Sequence, residues 1–544
     1  MKLRVDWRAS VSLVGSVLKY LAVALLAPIA TSLLYGEAFV PFVLPFVVTA
    51  AVAVGLGVGM ERLEPDPDLG AREGFLMVAL TWLVVSVVGA IPYVLEGLTV
   101  QNGTLTYLLS STLHDPFNAL FESMSGFTTT GATVMGTIDP TYHSRGLMLW
   151  RQLTQWVGGM GIVVLAVAIL PELSVGGAQL MDAEAPGPGI EKLTPRIAET
   201  ARALWVIYAG ITLLEVLLLY GLHLAGLAPG MTMYNAISHG FTTMATGGFS
   251  PEARSIEAFS AAVQWVVVPF MVAAGTSFPL FWHLTNGNTD RFRRDPEFRT
   301  YVGILGVLSA LLAGMLFGDV GLTDAATDAT RAAYETVTPA VRAHTFPIAG
   351  DVEAALRHAA FQVVSIVTTT GYASMDFTTW DGSAKYVLVF AMFVGGSAGS
   401  TGGGIKVIRW LVIMKSLRRE LFSTVHPNAV RPVRLGGRPL DERAIRGIYA
   451  FTLLYLVLFF VASAVLAADA AFLNPEQSLT IVEAMTAVAA TLGNIGPGFG
   501  EVGPMGSYLG FSAQAKLFMI TLMWIGRLEV FPVLVLLTRA YWSS

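Results

Sequence analysis

The 544-residue sequence predicts an all-α polytopic membrane protein, an N-terminal helix pair followed by four pseudo-symmetric repeats. Three observations carry that expectation. The chain is 54% hydrophobic and only 13% charged, with a mean hydropathy of +0.63, whereas a soluble domain carries about 25% charged residues. Ten apolar stretches have the length of about 20 residues that crosses a bilayer as a helix. Four further elements are too short to cross, end in threonine and glycine, and each lies between two of the long stretches.

The long stretches fall near 11–35, 39–60, 74–96, 145–171, 202–227, 258–285, 300–318, 384–414, 447–468 and 512–540. Lys2, Arg4 and Arg8 precede the first. That run exceeds the about 7–15 apolar residues of a signal peptide, so an ordinary membrane helix is expected in place of a cleaved leader. The first two stretches form the extra pair; the other eight bracket the short elements. Arg291, Arg293, Arg294 and Arg299 crowd one link between brackets, and Lys415, Arg418, Arg419, Arg431, Arg434, Arg438, Arg443 and Arg446 another. The intervening segment 319–353 is acidic. Basic loops stay in the cytoplasm, so the short elements are expected to dip in from the outer side. The expected units are 1–70 for the helix pair, 71–178, 200–290, 299–415 and 446–544 for the repeats, and 416–445 for a basic cytoplasmic connection.

Composition excludes several classes of function. A net charge of −5 argues against nucleic acid as a partner. Cysteine is absent, which removes disulfides, thiolate metal sites and cysteine nucleophiles. The eight histidines show no H-x-x-x-H spacing, and no Ser/His/Asp, HExxH or paired-acid constellation supports a membrane enzyme. No cofactor motif is present.

The short elements are the informative part. Phe121 to Ala132 reads FESMSGFTTTGA, and Phe361 to Tyr372 repeats the pattern with TTTGY at its end. Looser relatives end at Ala245-Thr246-Gly247-Gly248 and Asn494-Ile495-Gly496-Pro497. The candidate site residues are Thr129, Thr130, Gly131 and Ala132; Thr246, Gly247 and Gly248; Thr369, Thr370, Gly371 and Tyr372; and Asn494, Ile495, Gly496 and Pro497. Glycines 131, 247, 371 and 496 lie 116, 124 and 125 residues apart, with Gly493 as the alternative in the fourth. After each comes a stretch interrupted by small residues, at Gly158-Gly159-Met160-Gly161, Ala274-Gly275-Thr276-Ser277, Gly395-Gly396-Ser397-Ala398-Gly399 and Gly526-Arg527. Non-helical backbone at membrane depth survives only where protein buries it or water meets it. A short helix ending in such a turn directs the negative end of its dipole at a cation. Backbone carbonyls of the turn can replace the hydration shell of K⁺, and glycine supplies the backbone angles required. No carboxylate lies inside any of the four turns.

Two further features stand out. The stretch Gly395-Gly396-Ser397-Ala398-Gly399-Ser400-Thr401-Gly402-Gly403-Gly404 sits inside an expected span. It fails the P-loop pattern, because Lys406 follows Ile405 and precedes Val407. Arg527 lies inside the last expected span, where an arginine costs about 2.5–3.5 kcal/mol without a partner or water. Pairing with Glu529, or snorkelling towards the interface, is its plainest explanation.

Taken together, the extra helix pair, the fourfold helix–turn–helix unit and the pair Asn494-Ile495-Gly496-Pro497-Gly498 with Gly526-Arg527 resemble the Trk/Ktr/HKT superfamily of potassium transporters, and within it the TrkH-type membrane subunits. The resemblance covers essentially the whole chain. It implies four helix–pore helix–filter–helix repeats around one ion pore, with filter glycines Gly131, Gly247, Gly371 and Gly496. The absence of serine at the first filter glycine implies preference for K⁺ over Na⁺. It implies that 395–404 is an intramembrane gate and that Arg527 stands in the pore beneath the filter. It also implies a multi-pass protein of the inner (cytoplasmic) membrane, a homodimer, and a cytosolic nucleotide-binding regulatory subunit of the TrkA type docked near the basic connection. The function implied is passive K⁺ uptake with no cofactor. Coupled symport with H⁺ or Na⁺ remains the alternative, with Glu215 and Glu529 as the carboxylates inside expected spans.

Overall fold

The computed structural model describes residues 5–64, 71–164, 197–318, 348–475 and 479–542. Most of the acidic segment 319–353 and the end of the stretch 145–171 therefore lie outside the described residues. Among the described residues six helices are long and apolar enough to cross a membrane: Trp7–Leu34, Phe39–Glu61, Arg72–Leu95, Glu199–Leu224, Pro296–Phe317 and Glu442–Phe472. They are the N-terminal pair and the first helix of every repeat. The chain is a multi-pass membrane protein.

Within the N-terminal pair, Gly15 and Gly57 let the two backbones touch. A Cβ on either glycine would stand 2.6–2.7 Å from the other's carbonyl oxygen. Lys19 closes the crossing on Glu61 at 2.6 Å.

The stretches after the short elements, expected to be interrupted by small residues, differ from one another. Arg145–Val164 carries Arg151, Gln152 and Gln155, all buried, because it faces other protein and not lipid. The expected span 258–285 is two helices, Ala261–Ala274 and Phe278–Thr285, bent by 97°. The expected span 384–414 is not one helix. Gly382–Ala391 ends early, irregular backbone follows, and Val407–Val425 restarts beyond it. The last stretch stops at Arg527, and Glu529 and Val530 then take positive φ of 57° and 64° before the short helix Phe531–Leu536.

Between the two helices of each repeat lies a short helix: Pro116–Phe127, Met233–Met244, Val352–Val367 and Ile481–Leu492. Each start is capped by a side chain that accepts backbone N–H groups, a device worth about 1 kcal/mol. Asp115 accepts from Phe117 and Asn118, with Pro116 in the first turn where no N–H is needed. Thr232 and Asp351 cap the second and third. Thr480 and Glu483 form a reciprocal capping box on the fourth. The C-terminal halves of these four helices are almost entirely buried. Their ends define the candidate site.

Candidate functional site

All four short helices stop in the same way. The residue after the cap takes the left-handed conformation: Thr129 at φ 52°, Thr246 at 52°, Thr369 at 59° and Asn494 at 53°. The next N–H reaches back five residues, from Thr130 to Ser125, Gly247 to Thr242, Thr370 to Ser365 and Ile495 to Ala490, at 2.8–2.9 Å. That is the pairing of a Schellman motif, which satisfies the carbonyls a helix leaves open at its C-terminus. A second positive-φ residue follows two positions later, and in every case it is glycine: Gly131, Gly248, Gly371 and Gly496, at φ 80°, 78°, 78° and 101°.

This common backbone corrects the register in repeat two. The counterpart of Gly131 is Gly248, whereas Gly247 stands one position earlier, level with Thr130, Thr370 and Ile495. In the fourth repeat the residue at the same backbone position is Gly496. Gly493 is the right-handed cap of its short helix, level with Thr128, Ala245 and Thr368.

The four turns close on one another. A Cβ built on Gly131 would lie 2.1 Å from the Gly247 carbonyl oxygen, one on Gly248 2.1 Å from that of Thr370, one on Gly371 2.1 Å from that of Ile495, and one on Gly496 2.7 Å from that of Thr130. Each turn leans on the next and the fourth returns to the first. No side chain fits at any of these glycines. Among the described residues no hydrogen bond ends on the carbonyls of Thr130, Gly131, Gly248, Thr370, Gly371 or Ile495. Buried carbonyls are normally paired, so a ring of unpaired ones is a concentration of oxygen ligands. Among those residues no group of three His, Cys, Asp or Glu side chains converges. The ring glycines line a shallow recess walled in part by Ala132, Phe249, Pro497 and Tyr508.

A polar brace stands behind the ring. The Glu122 carboxylate accepts from Thr133 Oγ1 at 2.9 Å and Val134 N–H at 2.9 Å, and pairs with Arg151 Nε at 2.6 Å. Arg151 lies 3.5 Å above the Phe249 ring and donates to the Ser250 carbonyl at 3.1 Å, tying turn one to turn two. Gln155 donates to the Gly247 carbonyl at 2.7 Å and accepts from Phe249 N–H at 3.1 Å. Gln362 and Ser365 donate to the Tyr372 carbonyl at 2.9 and 2.7 Å, and Tyr508 to that of Gly496 at 2.8 Å. Tyr372 Oη shares a hydrogen bond with Thr242 Oγ1, joining turn three to the second short helix. Asn494 Nδ2 reaches Thr130 Oγ1 at 2.9 Å, joining turn four to turn one. Sequence reasoning left Arg151, Gln155 and Gln362 unassigned. The signal available was polarity inside apolar stretches.

The glycine-rich loop packs directly against the helix-end side of the ring. Gly403 N–H donates to Thr369 Oγ1 at 2.7 Å, and a Cβ on Gly403 would meet the Gly493 carbonyl at 2.4 Å. Thr401 Oγ1 donates to the carbonyls of Met244 and Ala274 at 3.1 and 3.0 Å. Ser397 N–H bonds the Gly275 carbonyl at 2.8 Å, and Gly399 accepts from Phe278 N–H at 3.0 Å. Arg527 joins this loop. Its Nη1 donates to the Thr401 carbonyl at 2.7 Å and its Nη2 to that of Gly158 at 3.4 Å. The expected partner Glu529 is engaged elsewhere, with Arg409 at 2.6 Å. The phase of the small residues also has a packing reason. A Cβ on Gly158 would stand 2.0 Å from the Phe127 carbonyl, and one on Gly526 1.9 Å from that of Leu492, so these helices press on the ends of their own short helices.

Comparison with known proteins agrees with this geometry. Residues 42–543 match the family described as TrkH, cation transport protein. The chain is 37% identical over 542 residues, 99% of both chains, to the Trk system potassium uptake protein TrkH of Halomonas elongata. It is 37% identical over 498 residues, 91% of both, to the protein of that name from Escherichia coli K12. The crystal structure of the potassium transporter TrkH from Vibrio parahaemolyticus superposes with a TM-score of 0.78 at 34% identity, covering 99% of this chain and 100% of that one. With four capped short helices that end in one backbone shape, and a match over nearly its whole length, the chain belongs to the TrkH family of cation transport proteins.

Proposed function

We propose that this protein carries K⁺ into the cell through the ring of four turns, without a catalytic step and without a cofactor. The single observation that carries the reading is the closed ring itself: four turns of one backbone shape, glycine wherever a Cβ would strike the next turn, and unpaired carbonyls concentrated there. Carbonyl oxygens of this kind replace the hydration shell of K⁺, and the short helices aim the negative ends of their dipoles at the same place. The units 71–178, 200–290, 299–415 and 446–544 each supply one turn, and the family and its named relatives support K⁺ as the cargo.

In this reading residues 395–404 form the gate and Arg527 holds it. The loop lies across the helix-end side of the ring, and a guanidinium there repels a cation until loop and arginine move together. The basic connection 416–445 faces the cytoplasm and offers a dock for a nucleotide-sensing subunit of the TrkA type; the protein works as a homodimer in the inner membrane. One observation favours H⁺-coupled symport as a second reading. The Glu215 carboxyl is buried beside Thr243 with neither oxygen in hydrogen-bond geometry, and a buried intramembrane carboxyl is a proton-carrying group by default. Flux in proteoliposomes under separate K⁺, Na⁺ and pH gradients tests both. Passive conduction predicts flux that follows the K⁺ gradient alone. A requirement for a second ion gradient would replace it with symport.

A further inference from the structure

Glu297, the second residue of the helix Pro296–Phe317, is 2% exposed, yet it lies far in sequence from both the ring and the glycine-rich loop. Its Oε1 accepts two backbone N–H groups, from Ala398 at 2.8 Å and from Ile408 at 3.2 Å. The first donor sits inside the loop. The second sits in the first turn of the helix Val407–Val425 that follows it. One carboxylate therefore bridges the loop and the helix that would have to move with it.

Other contacts show that this is the loop's attachment and not a chance neighbour. The two ends of the loop are zipped to each other, Gly395 N–H to the Ile405 carbonyl at 2.9 Å and Val407 N–H to that of Gly396 at 3.2 Å. Lys406 Nζ donates to the Gly402 carbonyl, placing a positive charge beside Glu297. Apart from the Arg527 bond to the Thr401 carbonyl, the loop's remaining bonds run to the second and third repeats through Gly275, Ala274, Met244, Phe278 and Thr369. Those are neutral hydrogen bonds. Glu297 differs from them in joining the loop to the helix Val407–Val425 through a single oxygen.

We propose that Glu297 is the latch of the glycine-rich loop, a positioning residue that sets how readily the loop leaves the ring. This rests on the reading of 395–404 as a gate. Displacing the loop requires both N–H groups to leave Oε1, and the buried carboxylate is then left without those partners. Opening is opposed by that loss and promoted by anything that swings the helix Val407–Val425 away. Removing the carboxylate favours the displaced loop at every ionic condition.

The chain has no cysteine, so Ser397→Cys is a clean reporter; the serine hydroxyl is buried and bonds nothing among the described residues. Full-length protein carrying this reporter is reconstituted in liposomes, and thiol modification and Rb⁺ flux are measured for the parent, Glu297→Gln and Glu297→Ala. Each is measured again in a chain lacking Ala398–Gly402. The latch predicts that Glu297→Ala raises modification rate and flux about tenfold, that Glu297→Gln, which keeps an acceptor oxygen, falls between, and that neither changes flux once the loop is deleted. Unchanged modification and flux in Glu297→Ala, with the loop deletion raising flux, would overturn the latch alone. A drop in flux in both backgrounds would also overturn it, by showing general damage to the fold. Loop deletion without any rise in flux would overturn the gate reading instead.

Discussion

The four turns and the four helices that follow them obey opposite rules. In the turns the sequences differ, Thr-Thr-Thr-Gly twice, Ala-Thr-Gly-Gly and Gly-Asn-Ile-Gly, yet the backbone is one shape repeated four times. In the helices that follow, small residues recur in phase, yet no two backbones agree: one runs continuously through Gly158, one bends by 97°, one dissolves into a loop and one ends at Arg527. A site that must present oxygen atoms evenly around a centre constrains backbone angles and tolerates varied side chains. A gate, the role proposed for the region behind the turns, has no such requirement.

The sharpest way to break this contrast is to attack the joint between the two regions. Glu122 on the first short helix and Arg151 on the helix after it are both buried and paired at 2.6 Å. Removing one member strands the other charge, which costs about 3–5 kcal/mol. Glu122→Ala is expected to lower the thermal midpoint of the detergent-purified protein severely, with the double change Glu122→Gln, Arg151→Met recovering much of the loss. A single variant as stable as the parent would show that the brace does not hold the ring.

Within the ring, equality is testable position by position. A Cβ at Gly371 would strike the Ile495 carbonyl at 2.1 Å in a left-handed conformation, so Gly371→Ala is expected to reduce Rb⁺ flux about 100-fold through strain and displaced carbonyls. Gly248→Ala is expected to match it. Gly247 has no positive φ, and its Cβ would meet only the Gln155 amide, so Gly247→Ala is expected to cost under about tenfold. Equal losses at 247 and 248 would undo the register derived from the backbone.

Below the ring, inequality is the expectation. Arg527→Ala removes the bonds to Thr401 and Gly158 and is expected to raise cation leak several-fold. The corresponding change at Gly275→Ala, where Tyr301 and Thr368 crowd the site, is expected to lower flux. Effects of one sign at both would argue for a symmetric constriction.

The smallest effect concerns pH. Glu257, outside the spans and behind the junction of turns two and three, is pushed by burial from the ordinary 4.5 up to about 8, although Arg254 lies 2.7 Å away. Its N–H donates to the Ala373 carbonyl, next to Tyr372, at 3.0 Å. A carboxyl with a raised folded value stabilises the folded state at low pH. That contribution is lost as pH rises from about 4.5 through about 8. Thermal stability measured across that window should fall in the parent and stay flatter in Glu257→Gln; parallel curves would remove Glu257 from the account.

Much of this was legible in the sequence, and the rest was hidden for identifiable reasons. The short helices were visible because their caps, Asp115-Pro116 and Thr480 with Glu483, and their Thr/Gly ends are local signals. The loop at 395–404 was visible because ten residues so rich in glycine cannot sustain a membrane helix. The register of the second turn was not, since Gly247-Gly248 offers two glycines and only the closing contact on Thr370 distinguishes them. How each second helix is interrupted was not legible, because apolar composition reports burial, whether by lipid or by protein. Arg527 was singled out correctly as needing a partner, but Thr401 and Gly158 are 126 and 369 residues away and no spacing rule connects them.

Anomalous scattering from crystals of the full-length protein grown in Tl⁺, a heavy mimic of K⁺, tests the central claim most directly. The account predicts a peak on the axis enclosed by Thr130, Gly131, Gly248, Thr370, Gly371, Ile495 and Gly496, abolished in Gly371→Ala and displaced by excess K⁺ but not by Na⁺. Peaks confined to other parts of the protein, with the ring empty, would contradict it.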